Sequence, residues 1–245
     1  MTIPESCQIS EVTRRKILIR SVAFFGLISI PGFLRRQSSY RELTHAIRDT
    51  VTWEEFIAEV LPLAQASVWQ GPQTEVEYLH HLARLAVREG WEPKVEAAVR
   101  PASHYRQRFL FRRKPFIVCQ YEVADGARIE PHDHYGYTAV MKVTRGQARL
   151  RTFEFATRDA HSVSPQGVFE VRLTEEKFLR PGDLSVVPMN GPNIHEILEA
   201  RGDFQFVDLF TFYHSRGYSR RIQIEDFMGR NVSGRTYRAR WGQAL

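Results

Sequence analysis

The stretch Gly126-Ala127-Arg128-Ile129-Glu130-Pro131-His132-Asp133-His134 decides the reading of this chain, together with the downstream run from Gly182 through Pro188 and Gly191 to His195. Alternate residues of a β-strand point to the same face, so His132 and His134 can aim two imidazoles at one point. A lone H-x-H pair is more often a surface or structural feature. Here it has a frame: a glycine six residues before it, Gly146 after it, and a second strand punctuated by Gly182, Pro188 and Gly191 that ends in a third histidine. Glycines at the edges suit tight turns and Pro188 marks a strand end. The pattern predicts a three-histidine metal site in a small β-barrel. Neutral imidazole suits iron, copper, nickel and zinc.

Working outward, short β-branched and aromatic runs occupy residues 116–121, 138–143, 148–155, 168–173, 184–187 and 204–212. Turn signals separate them at Asp125-Gly126, Arg145-Gly146, Ser164-Pro165-Gln166-Gly167, Pro181-Gly182 and Arg201-Gly202-Asp203. Many short strands at regular spacing predict a sandwich or barrel, and ligands from two different hairpins fit a double-sheet jelly roll. No repeat or low-complexity segment interrupts it.

Upstream the texture is helical. Apolar residues recur at helical spacing over 40–51, 53–66 and 73–89. Thr52 is placed to cap the second helix, with Glu55 completing a capping box. Gly90 stands where a helix C-terminal glycine is expected. His45, His80 and His81 fall on polar helix faces and are not expected to be ligands.

The organisation expected is therefore a basic and hydrophobic N-terminal segment (1–36), a helical region (37–100), the barrel (101–215) and a basic C-terminal tail packed on the barrel (216–245). In the first segment, Thr13-Arg14-Arg15-Lys16-Ile17-Leu18 precedes an apolar run from Ser21 to Leu34, a pattern similar to a twin-arginine export signal. The run is short for a membrane span. No small-x-small cleavage site follows it, and Arg35-Arg36 sits where a cleavable signal turns uncharged. The expectation is a hydrophobic helix packed on a cytoplasmic protein, with export or membrane anchoring as the alternative.

Net charge is +6 in 245 residues, with arginines 216, 220, 221, 230, 235, 238 and 240 crowding the C-terminal region. No nucleic-acid-binding motif accompanies them, so no nucleic-acid partner is expected. Phe227, Tyr237 and Trp241 are expected to fold back on the barrel. Cys7 and Cys119 are too few and too distant in sequence to form a disulfide framework, and reduced thiols are the default.

From about Arg106 to Tyr213 the chain resembles the cupin superfamily, and within it the cysteine dioxygenase group of thiol dioxygenases. The resemblance covers somewhat less than half of the chain and rests on His132-Asp133-His134 and on the glycine–proline motif with its trailing His195. It implies a double-stranded β-helix in which His132, His134 and His195 bind ferrous iron. Most cupins add a glutamate a few residues after the H-x-H pair; Tyr137, Thr138 and Ala139 occupy those positions here, a departure that favours the carboxylate-free thiol-dioxygenase branch. The resemblance also implies an arginine upstream of the H-x-H pair that holds a substrate carboxylate. Ungapped counting places it at Arg106, with Arg108 on the same strand face.

A serine-x-histidine-x-tyrosine strand in that family maps to Leu209, Thr211 and Tyr213. Tyr213 is thus the catalytic candidate, a phenol that can steer a bound oxygen species, while the rest of the relay is replaced. Ala139 stands where animal members cross-link a cysteine to the tyrosine.

The implied activity is oxidation of a small, carboxylate-bearing thiol by dioxygen to its sulfinate. Alternatives from other classes stay open: a different three-histidine oxygenase, such as one cleaving a diketone, a metal-dependent isomerase or lyase, or a small-molecule binding module.

Overall fold

The computed structural model describes residues 50–92, 104–215, 217–225 and 235–244. Expectations for residues 1–36, for a helix over 40–51 (all but its last two residues) and for Phe227 lie outside the described residues. Among those described, no helix is long and apolar enough to cross a membrane.

Two helices precede the strands. Helix α1 (Trp53–Gln70) begins at the expected capping box: Thr52 Oγ1 accepts the Glu55 N–H at 3.2 Å, and Glu55 Oε2 accepts the Thr52 N–H at 2.8 Å. It stops at Gly71, whose φ of 94° no β-carbon tolerates easily. Helix α2 (Glu75–Ala86) ends three residues before the expected limit, and Gly90 lies beyond its C-cap, Val87. Phe56, Val60 and Ala64 of α1 and Leu79, Leu82 and Ala86 of α2 are buried against one another and against Trp91. Trp91 stacks on Phe56 at 4.2 Å.

The remainder is the expected jelly-roll β-barrel: β1 (Tyr105–Arg113), β2 (Phe116–Val123), β3 (Ile129–Asp133), β4 (Tyr137–Phe155), β5 (Val168–Leu179), β6 (Leu184–Val187), β7 (Ile194–Phe212), β8 (Arg220–Ile224) and β9 (Thr236–Ala244). Every described pairing between them is antiparallel.

Two strands organise the whole. β4 and β7 run 19 residues each and pair along nearly their full length. The first half of β4 and the last half of β7 join β1, β2 and β6; the other halves join β3 and β5. Arg145-Gly146 and Arg201-Gly202-Asp203, expected as turns, are instead irregular steps inside this ribbon, with positive φ at Gly146, Gly202 and Asp203. The two glycine steps face each other: a β-carbon on Gly146 would lie 2.5 Å from the Arg201 carbonyl oxygen. Paired irregularities bend a ribbon so that one strand serves two sheets.

The C-terminal region is not a tail laid on a finished barrel. β8 pairs with β3 and β9, and β9 pairs with β5, so that β3, β7, β4, β5, β9 and β8 close a ring. Tyr237 is buried there and Trp241 packs beside it. The basic side chains pair with acids: Arg221 with Glu130, and Arg238 and Arg240 with Glu225.

Side-chain alternation sorts the sheet holding β1 and β2 into two faces. Phe116 and Val118 of β2 and Val207 and Leu209 of β7 meet the helices. Ile117, Cys119, Tyr121, Asp208 and Phe210 face an interior cavity of about 1040 Å³.

Candidate metal centre

His132 on β3 stands directly opposite His195 on β7 in the antiparallel ladder. Such cross-strand pairs hold their β-carbons roughly 5 Å apart, close enough for rings to meet. His134 follows the end of β3, and the chain then turns at Gly136 (φ 77°) into β4. The three rings lie 4.6, 4.9 and 5.4 Å apart between centroids, and one nitrogen from each falls within 4.8 Å of the others. The three expected ligands are therefore brought together on the cavity wall.

The tautomers suit a metal. His132 Nδ1 lies 2.8 Å from the Glu130 carbonyl oxygen, to which an Nδ1–H donates, leaving the Nε2 lone pair free. That Nε2 lies 3.1 Å from Nε2 of His195. Two nitrogens bound at right angles to one ion at about 2.1 Å stand roughly 3.0 Å apart. Burial pushes the proton affinity of all three imidazoles down, and at His134 and His195 the neighbouring histidines push it further. Neutral, convergent imidazoles, two of them buried and His132 half-buried, fit a divalent transition metal.

No carboxylate joins the group among the described residues. Of the three positions where a glutamate ligand was looked for, Tyr137 stacks on His134 at 4.6 Å and is hydrogen-bonded to Ser219, Thr138 donates to the Val187 carbonyl at 2.9 Å, and Ala139 is buried in the apolar wall. Asp133, between the ligands, serves Arg220 instead: its Oδ1 accepts the Arg220 backbone N–H at 2.7 Å and its Oδ2 the guanidinium at 3.0 Å.

Arg106 and Tyr213 are placed elsewhere. Arg106 is exposed and, like Arg108, does not line the cavity, which takes Gln107 and Phe109 from β1. An irregularity between Phe109 and Phe111 then reverses the alternation and brings Arg112 to the cavity. The ungapped count lands on the wrong face because β1 changes parity along its length.

Tyr213 is likewise on the helix side. Its hydroxyl hydrogen-bonds Ser67 Oγ of α1 at 2.6 Å, and burial raises its pKa to about 12. Thr211 bonds Tyr78 of α2 at 2.5 Å. In the last half of β7 the cavity-facing positions are Phe206, Asp208, Phe210 and Phe212, one residue out of step with Leu209, Thr211 and Tyr213.

Sequence reasoning missed Asp208, Gln107 and Cys119 as cavity residues. The signal for Asp208 was present: a carboxylate alone in the otherwise apolar alternation of residues 204–212. His161 lies 3.8 Å from Asp133 Oδ2 and stacks with Trp241.

Fold and site together define a double-stranded β-helix protein with a three-histidine candidate metal centre. No protein-family description matches the chain, and no characterised relative does at the sequence level. Among solved structures it is similar to KdgF from Halomonas sp., with 19% identity over 46% of this chain and 82% of that one and a TM-score of 0.33. It is similar also to an RmlC-like cupin from Desulfovibrio desulfuricans (12% identity, 49% of this chain, 93% of that one, TM-score 0.36). A third is the coconut allergen cocosin (20% identity, 44% of this chain, only 24% of that longer one, TM-score 0.32). At these scores the likeness carries nothing about activity.

Proposed function

We propose that this protein is a non-haem iron thiol dioxygenase that converts a small thiol and one dioxygen into the corresponding sulfinic acid. The observation that carries this reading is the trio of neutral imidazoles on a cavity wall, with no carboxylate joining them among the described residues. A ferrous ion held by His132, His134 and His195 would supply the activation of thiol and dioxygen that this reaction needs. Both oxygen atoms pass to sulfur, the thiol proton ends on the acid, and no external reductant is needed.

The chain's own residues supply position. Phe210 packs 6.3 Å from the His134 ring between centroids, and Phe212 stacks on Tyr137, so the surface beside the histidines is aromatic. Arg112 replaces Arg106 as the candidate anchor for a substrate carboxylate, since its fork lines the cavity mouth beside Phe109.

A second reading is favoured by one observation. Phe210 and Phe212, rather than a hydroxyl and imidazole relay, stand on the cavity face of β7, and the cavity is wider than a small thiol requires. This fits another three-histidine metal enzyme, including an oxygenase cleaving a diketone, an isomerase or a lyase, as well as a binding module. Oxygen uptake by anaerobically iron-loaded protein against panels of thiols and diketones, with mass spectrometry of the products, separates them. Addition of two oxygens to one thiol supports the proposal; tightly held iron with no thiol-dependent uptake refutes it.

A further inference from the structure

We propose that Asp208 forms a second subsite in the same cavity, one that takes a cationic amine at the far end of an elongated substrate from its metal-binding atoms. The inference rests on the preceding reading only in that the substrate's other end sits at the histidines.

Asp208 is 4% exposed, faces the cavity, and its Oδ1 has no hydrogen-bond partner. The other buried acids among the described residues are satisfied internally. Asp133 has Arg220, Glu196 has Arg151, and Glu75 accepts the backbone N–H of Asn190. Asp208 has for cross-strand neighbours Cys119 and Met141, neither of which supplies a charge. A buried carboxyl without a partner destabilises a fold, so its persistence in a cavity wall points to a partner from outside the chain.

The surroundings specify that partner's chemistry. Gln107 spends its amide hydrogens on the Tyr121 hydroxyl at 2.8 Å and on Cys119 Sγ at 3.5 Å, which leaves its carbonyl as an acceptor. Cys119, opposite Asp208, has its thiol pushed up to about 12 by burial and stays a neutral sulfur. An ammonium offers three donors and no acceptor; it suits the Gln107 carbonyl, and on arrival it favours the ionised form of Asp208 over the protonated one.

Position specifies its shape. Phe210, the residue that reaches the His134 ring, lies two residues along β7 from Asp208, roughly 7 Å at strand spacing. Ala139 and Ile117 flank Phe210 on the neighbouring strands. A ligand joining the two ends therefore carries an apolar body between them, and about 1040 Å³ accommodates one.

The test is calorimetric titration of the full-length, metal-loaded protein under nitrogen with hexylamine and, separately, with hexanol. The expected result is a preference for the amine of about tenfold or more, lost in Asp208→Asn. Equal affinity for the two probes in the wild type, or no binding of either, overturns the subsite without reference to any variant. So does a preference that survives in Asp208→Asn. Oxygen uptake with cysteamine, its longer aminoalkanethiol homologues and plain alkanethiols then keeps the two ideas apart. Amine preference with no thiol oxidation removes the dioxygenase reading alone. Oxidation of alkanethiols as efficient as that of the amine-bearing ones removes the subsite alone.

Discussion

Asp133 and Arg220 form an ion pair beside the strand that carries His132: the carboxylate is fully buried, and the partly buried guanidinium that holds it at 3.0 Å lies 3.5 Å above the Trp241 ring. Asp133 separates His132 from His134, so whatever fixes it fixes the direction of both rings. Removing one partner of a buried pair costs about 3 kcal/mol or more, because the other charge is left without compensation. Arg220→Ala is expected to lower the unfolding free energy by that amount and to weaken metal binding about tenfold, as loss of an outer-shell partner does. Urea melts and metal titration measure both; unchanged metal affinity in a folded variant removes the positioning role. Arg220→Lys restores the charge but not the fork.

Metal retention tests the ligand set. His132→Ala and His195→Ala should each come through purification with little iron by elemental analysis, and activity should fall with the metal. Chelation of the wild type should lower its melting temperature, since a ligand that binds only the folded state at a thousandfold above its dissociation constant stabilises by about 4 kcal/mol. Full iron content and turnover in His195→Ala would show the assignment to be wrong.

Arg112 and Arg106 give a paired prediction. Arg112→Ala should raise KM for a carboxylate-bearing thiol by roughly tenfold, the scale of a charged hydrogen bond, with little change in kcat. Arg106→Ala, on the opposite face of β1, should leave both parameters as they are. The reverse outcome would restore the ungapped alignment.

Tyr213→Phe should behave as a structural change. Loss of the Ser67 hydrogen bond is expected to cost about 1 kcal/mol of stability. Turnover and its pH profile should stay as in the wild type. A drop in kcat without a drop in stability would put the phenol back in the chemistry.

Asp208 sets a pH dependence of stability. Burial holds its carboxyl protonated well above the usual range. Between the unfolded and folded pKa values the folded state therefore keeps a proton that the unfolded chain has released. Stability falls as pH rises through that window, and below it both states are protonated and the penalty is absent. Asp208→Asn should flatten this slope and raise stability at neutral pH by about 1 kcal/mol or more. Chemical denaturation across a pH series reads it directly; a variant that keeps the wild-type slope contradicts the assignment.

Local chemistry made much of this legible. The Thr52–Glu55 box, the four-residue β6, and the meeting of His132, His134 and His195 follow from short patterns whose physics is contained within them. What escaped was parity and continuity. Gly146 and Gly202 have the composition of turns, but their pairing across the ribbon, which only the tertiary fold supplies, makes them bends within β4 and β7. Arg106 rests on an ungapped count and Tyr213 on a matched strand motif, and neither registers the slip between Phe109 and Phe111 or an offset of one on β7. A single-residue error turns every side chain to the other face.

The pairing of His132 with Arg221 has a consequence for biosynthesis. A chain emerging from the ribosome carries all three histidines some twenty-five residues before β8 arrives to flank the strand that bears the first of them. Until then β3 is an open edge and Asp133 has no Arg220. The wall around the candidate centre is therefore complete only once residues 220–244 have joined it, so a chain truncated before β8 would carry all three histidines on an unfinished ring.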